Sequence, residues 1–142
     1  MSKQNYKNHS KFVPAFHFVI VPLLLFVFIG SIVNVFHSEP ANIYSASLLV
    51  ALSFATLVLA FIVRGSVLKV QDRAIRAEEN FRYYLAAGKQ QDSRLTMSQI
   101  IALRFAGDDE YIGLSKKAVD ENMSAKEIKL AIQQWKGDHH RA

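Results

Sequence analysis

From Phe12 to Val63 the chain carries no lysine or arginine, and its one formal charge in that stretch is Glu39. Fourteen of its seventeen Lys and Arg residues come at or after Arg64. The run 13–36 has twenty-four residues without a formal charge and the run 43–63 has twenty-one. As helices they extend about 36 Å and about 31 Å, against a hydrocarbon core of about 30 Å, so each is long enough to span a bilayer. Only 37–42 separates them, too short for anything but a tight antiparallel connection, and Pro40 suits the start of a helix. The first run lacks the short apolar core and small-residue cleavage site of a secretory signal, so it is expected to stay. A soluble chain would have to bury both runs inside a core that some ~80 remaining residues cannot supply.

Lys3, Lys7 and Lys11 precede the first span, the connector has no Lys or Arg, and Arg64, Lys69, Arg73 and Arg76 follow the second. The positive-inside rule then puts both ends in the cytoplasm. Within lipid, polar side chains need partners. Counting outward from the connector brings Asn34 level with Ser45 and Ser47, where a polar seam between the helices is expected, and Ser47, Ala51 and Ala55 recur every fourth position to permit close approach. Pro22 removes the donor for the Phe18 carbonyl, which predicts a bend over 18–22. His17 sits about one turn inside the cytoplasmic boundary and is read as an interfacial residue rather than a proton relay. His17 and His37 lie about 30 Å apart along one helix, too far to grip one haem iron.

Beyond Val63 the helix is expected to continue, because 68–82 is rich in helix formers and lacks proline. Val67, Val70, Ala74, Ala77, Phe81 and Tyr84 follow a 3-4 spacing, a heptad seam of about two and a half repeats. Paired in parallel with a second copy, Arg73 at a g position meets Glu78 at the following e position. Homodimerisation through Val67, Val70, Ala74, Ala77 and Phe81 is therefore one expectation. The shortness of the seam favours the other, cover by the protein's own C-terminal helices. Gly88 stops the helix. Thr96 with Gln99 and Ser124 with Glu127 read as capping boxes, and Asp108 as the cap of a helix between them. The expected core is Leu95, Ile100, Leu103, Phe105, Tyr111, Leu114, Val119, Ile128, Ile132 and Trp135, completed by Phe81, Tyr84 and Leu85.

Helix, glycine turn, helix invites comparison with a DNA-binding motif, but the would-be recognition helix opens Asp108-Asp109-Glu110, which phosphate repels. Lys126, Lys129 and Lys136 form a basic stripe on the last helix, a contact for anionic lipid or nucleic acid or simply a solvated face. The absence of cysteine removes thiolate chemistry. No phosphate-binding glycine loop, paired catalytic carboxylates or nucleophile motif occurs, and His139-His140 lacks a framework for a metal. The expectation is no enzyme, no metal and no cofactor, with nucleic acid disfavoured as a partner.

Gln4-Asn5-Tyr6-Lys7-Asn8-His9, Phe12-Val13-Pro14, His17-Phe18, Pro22-Leu23-Leu24, Gly30 to Asn34, Leu68 to Arg73, Gln99 to Ala106 and Lys126-Glu127-Ile128-Lys129 with Trp135 together resemble a family of uncharacterised small bacterial two-span membrane proteins, a domain-of-unknown-function family. The resemblance covers nearly the whole chain. It implies a two-span inner-membrane protein and no particular activity. It also draws attention to an interfacial cluster of Asn5, Lys7, His17, Asp72 and Arg73, with Asp72 expected to pair with Arg76 or an N-terminal lysine.

The expected fold is an all-α membrane protein: a two-helix transmembrane hairpin whose second helix extends into the cytoplasm, followed by a small bundle of about three short helices. Its parts are a cytoplasmic tail 1–12, spans 13–36 and 43–63 joined by an external connector 37–42, an extension 64–87, a loop 88–94, a helical domain 95–137 and a flexible tail 138–142. The expected role is a non-enzymatic accessory, scaffold or regulatory module of the bacterial inner membrane, in contact with the bilayer and with a membrane-protein partner that the sequence does not name. The alternatives are a tethered nucleic-acid or anionic-lipid binder and a small subunit of an oligomeric transporter.

Overall fold

A computed structural model describes residues 5–6 and 13–137. The described residues are helical, with no strand beyond one isolated bridge, and they form two compact units, 13–67 and 5–6 with 68–137. Ala15–His37 and Pro40–Ala87 are both long and apolar enough to cross a membrane.

In the first unit a π-helical turn, Ala15–Ile20, leads into α1 (Val21–His37). Pro22 has no N–H for the Phe18 carbonyl, and the turn before it is widened so that the Val21 N–H reaches the Phe16 carbonyl. Where the sequence predicts a bend over 18–22, the structure has a π segment at Ala15–Ile20. A turn at Pro40–Asn42 opens α2 (Ile43–Ala87), which is continuous past Gly65. From the π turn through α1 the less exposed residues include the series His17, Val21, Leu24, Phe28, Ser31 and Val35, flanked by Phe16 and Ile32, and on α2 the series Ala46, Val50, Ser53, Leu57, Ala60 and Arg64, flanked by Gly65. Both stripes step by 3 and 4, the spacing of helices that pack side by side. Ser31 Oγ lies 3.0 Å from Ser53 Oγ, with Phe28 and Phe54 rings 5.7 Å apart beside them and Phe16 and Phe61 rings 6.1 Å apart. Much of the rest of the surface is bare hydrocarbon: Phe26 is 76% and Phe18 69% exposed.

The second unit is built on α2 from Leu68 onward, α3 (Met97–Leu103), α4 (Asp108–Asp120) and α5 (Ala125–Ala131). Gly88 ends α2 at φ 68°, a conformation without steric cost only for glycine. Thr96 caps α3, and the Gln99 side chain returns the bond to the Thr96 N–H at 2.8 Å. The same Gln99 amide donates to the Met123 carbonyl at 2.8 Å, tying α3 to the turn before α5. Asn122, at φ 47°, closes α4: its N–H goes to the Val119 carbonyl and that of Met123 to the Ala118 carbonyl. Ser124 and Glu127 complete the second capping box.

The core contains Leu95, Ile100, Leu103, Phe105, Tyr111, Leu114, Ile128 and Ile132 as expected, with Val119 and Trp135 half-buried against it. The contribution of α2 differs from the expectation. Ile75 and Tyr83 are the buried residues, whereas Phe81, Tyr84 and Leu85 are exposed.

The last helix stops at Ala131, six residues before Gly137, and Ile132 turns extended at ψ 122°. The following segment runs antiparallel beside 105–107, with Gly107 N–H on the Gln134 carbonyl and Lys136 N–H on the Phe105 carbonyl, both at 2.8 Å. A Cβ on Gly107 would meet both the Cβ and the carbonyl oxygen of Gln134 at 3.0 Å. Gly107→Val should therefore destabilise this unit by about 2 kcal/mol, as overpacking does. The measurement is urea unfolding in detergent followed by Trp135, the sole tryptophan. An unchanged midpoint would mean that the segment yields freely.

Candidate functional site

The second unit has a groove of about 670 Å³ whose walls include Glu78, Phe81, Arg82, Leu85, Arg104, Asp108 and Lys136. Its organising side chain is Arg82, 15% exposed, which α2 delivers to the start of α4. The guanidinium donates from Nε to Asp108 Oδ1 at 2.8 Å, from Nη2 to the Ala106 carbonyl at 2.7 Å and from Nη1 to Glu79 Oε2 at 3.2 Å. It also stacks 4.1 Å from the centre of the Tyr111 ring, so the planar fork is satisfied at its edges and on a face. The Tyr111 hydroxyl donates to the Glu79 main-chain carbonyl at 3.1 Å and accepts from Gln91 Nε2 at 3.2 Å. Burial and the nearby Glu79 charge push this phenol above its ordinary range, and it stays protonated.

Asp108 is the first residue of α4, and Gly107 is the residue that precedes the helix. The expected Asp108 cap is thus corrected: its carboxylate is spent on Arg82, whose hydrogen bond and charge hold it below the ordinary carboxylate range, and on Lys136 Nζ at 3.5 Å. Glu110 takes over near the helix start, accepting from the Gln133 and Gln134 N–H groups at 3.0 Å each and from Gly107 N–H at 3.4 Å. No motif announced Arg82 or Glu110. Glu78 has the i,i+4 spacing for a surface pair with Arg82, but Arg82 pairs with Glu79, three residues away.

A smaller cavity of about 340 Å³ lies beside Tyr83, Gln91, Leu95 and Ser115. Ser115 Oγ and Gln91 Oε1 are buried there without hydrogen-bond partners among the described residues. Asp92, in the loop, is held at about 2 by hydrogen bonds from the Arg94 side chain and N–H.

The residues singled out from sequence are distributed as follows. Asn34, Ser45 and Ser47 are exposed and are not brought together: the Ser45 and Ser47 hydroxyls donate to their own helix, at Asn42 and Tyr44, and the polar contact between α1 and α2 is Ser31 with Ser53. Ala51 and Ala55 are likewise exposed, and Ala46 and Ala60 occupy the contact stripe instead. His17 Nδ1 lies 3.0 Å from the Val13 carbonyl, four residues earlier in the chain. Asn5 and Tyr6 lie by Lys129, Leu130, Ile132 and Trp135 at the end of α5. Lys7 falls outside the described residues, as do His139 and His140. Asp72 is half-buried and Arg73 exposed, and no ion pair joins Asp72 to Arg76 among the described residues. The basic stripe is interrupted: Lys126 and Lys129 are on α5, but Lys136 lies past its end and turns to Asp108. Among the described residues no three His, Asp or Glu side chains gather to hold a metal ion.

The model of a family of unknown function, DUF6526, matches residues 1–142. The chain belongs to this family. No curated protein and no solved structure matches it. In this DUF6526 member, then, the arrangement itself must carry the functional reading. The groove sets Arg82, Arg104 and Lys136 against Glu78, Glu79 and Asp108, and it is anchored by contacts that hold α2 to α4.

Arg82→Met should lower stability by about 2–3 kcal/mol, because Glu79 and Asp108 lose a charged donor that is largely shielded from water. Arg82→Lys should recover only part of it, lacking the fork and the stacking surface; a midpoint for Arg82→Lys equal to that of the wild type would show that charge alone matters. The pH dependence has a definite sign. The Asp108 carboxyl is depressed in the folded state, so its contribution is complete above the ordinary aspartate range and disappears as pH falls through the lowered value. Acid titration of Trp135 emission should show a loss that Asp108→Asn has already suffered at neutral pH. An identical acid profile in that variant would sink this assignment.

Proposed function

We propose that the chain is a non-enzymatic integral membrane module of the bacterial cytoplasmic membrane. In this reading α1 and the first half of α2 form a transmembrane hairpin, both ends lie in the cytoplasm, and the helical unit is displayed there as a scaffold for other membrane proteins. The observation that carries the reading is the inverted surface of 13–67, where bulky hydrocarbon faces outward and the serine pair faces inward. Lipid accepts that surface; water does not. Asn5 and Tyr6 beside Trp135 support a common compartment for the two ends. So does the distribution of cations, three before the first span and none between the spans. The balance of acids and bases in the groove, and the turn of Lys136 toward Asp108, favour a protein-contact role over phosphate recognition.

The chain has no cysteine, so single cysteines report cleanly. In intact cells a membrane-impermeant maleimide should label Ala41→Cys and leave Gln90→Cys untouched until the cells are opened. Labelling of Gln90→Cys from outside, or of neither site before opening, contradicts the topology.

A further inference from the structure

Past Leu68, α2 has two apolar faces, and the protein's own helices cover only one. The buried positions Ile75, Glu79 and Tyr83 lie on one side, where α3, α4 and the 88–95 segment pack. On a helix at 100° per residue this face is about 180° from the line through Val70, Ala74, Ala77, Phe81 and Tyr84. That line is bare: Val70 is 66%, Phe81 63% and Tyr84 54% exposed. The two competing expectations for this stripe therefore separate. The intramolecular cover falls on heptad positions b, c and f, and the a and d positions are left open.

We propose that a second copy of this chain covers the open stripe, as a parallel two-stranded coiled coil over 70–85. The occupant is specified by three features. The exposed residues keep the 3-4 spacing of a self-complementary seam, and alanine at its centre lets two backbones approach. Arg73 and Glu78, both exposed, stand at g and the following e positions, so a parallel pair makes two symmetric attractions, while an antiparallel pair sets g against g and e against e and forfeits them. The remaining flanking positions, Gln71, Asn80 and Leu85, carry no charge to oppose the pairing. The length of the seam, about 22 Å, is too little to hold two free helices together in water. Here the proposal rests on the membrane reading above: anchoring in one bilayer aligns the copies in parallel and raises their effective concentration.

The test uses the full chain in native membranes, with single cysteines and mild oxidation. Ala74→Cys, Ala77→Cys and Phe81→Cys should form disulfide-linked dimers, and the exposed off-seam controls Arg76→Cys and Ala86→Cys should not. In the Ala77→Cys background, Arg73→Glu should reduce crosslinking about fivefold by replacing two attractions with two repulsions, and adding Glu78→Arg should restore it. Equal crosslinking at seam and control positions indicates random collision and overturns the proposal, as does an absence of crosslinks at the seam. Maleimide labelling of Ala41→Cys and Gln90→Cys in the same cells separates the two failures. A correct labelling pattern without seam crosslinks removes the dimer alone, and a wrong labelling pattern removes the membrane reading beneath it.

Discussion

Residues 13–67 impose one condition on everything else: their backbone donors and acceptors are used up inside helices, and their outward side chains cannot be hydrated without penalty. At about 25 cal/mol per Å², leaving some twenty large apolar side chains in water costs tens of kcal/mol, more than a domain's whole net stability. The internal polar chemistry of this unit is correspondingly sparse. Ser31 and Ser53 face each other, and each also lies near a carbonyl of its own helix, Phe28 at 2.7 Å and Val50 at 3.0 Å. The two hydroxyl protons can fill two of these three contacts at a time, so each hydroxyl has an acceptor without a charge being imported.

The second half of α2 works under the opposite rule. Most of its side chains are exposed and many are charged, so a fixed arrangement has to be made by specific contacts. Arg82 makes most of them, touching α4 through Asp108, the α3–α4 turn through Ala106 and the core through Tyr111. Glu110 does the same for the segment after α5. Three helices of seven, thirteen and seven residues, each too short to persist alone, are thereby held on a long one. The helix that supports them keeps a second apolar face that the described helices do not cover.

How legible this was in the sequence depended on whether a signal had a phase. The charge gap, the capping boxes at Thr96 and Ser124 and the glycine at 88 have one, and the two apolar helices, the α3 and α5 starts and the end of α2 follow from them. The side-by-side stripe of α1 and α2 does not, because a helix apolar all round offers no preferred face. Level along the axis points to Asn34, Ser45 and Ser47, and four-residue spacing to Ala51, whereas rotation selects Ser31, Ala46 and Ser53. On the α2 extension the clearest heptad is the one the bundle leaves open, since Ile75 and Tyr83 are separated by the acidic Glu79 and do not read as a stripe. The end of α5 was hidden as well: Ile128 to Trp135 has helical spacing, but Gly107 and Glu110, far off in sequence, draw 132–136 into an extended run.

The role of lipid as solvent for 13–67 is most directly tested by washing membranes that contain the wild-type chain in alkaline carbonate. The account predicts that the chain stays in the membrane pellet and leaves it only with detergent. Release into the carbonate supernatant would contradict it, because a surface so apolar would then have to be covered by protein rather than by the bilayer.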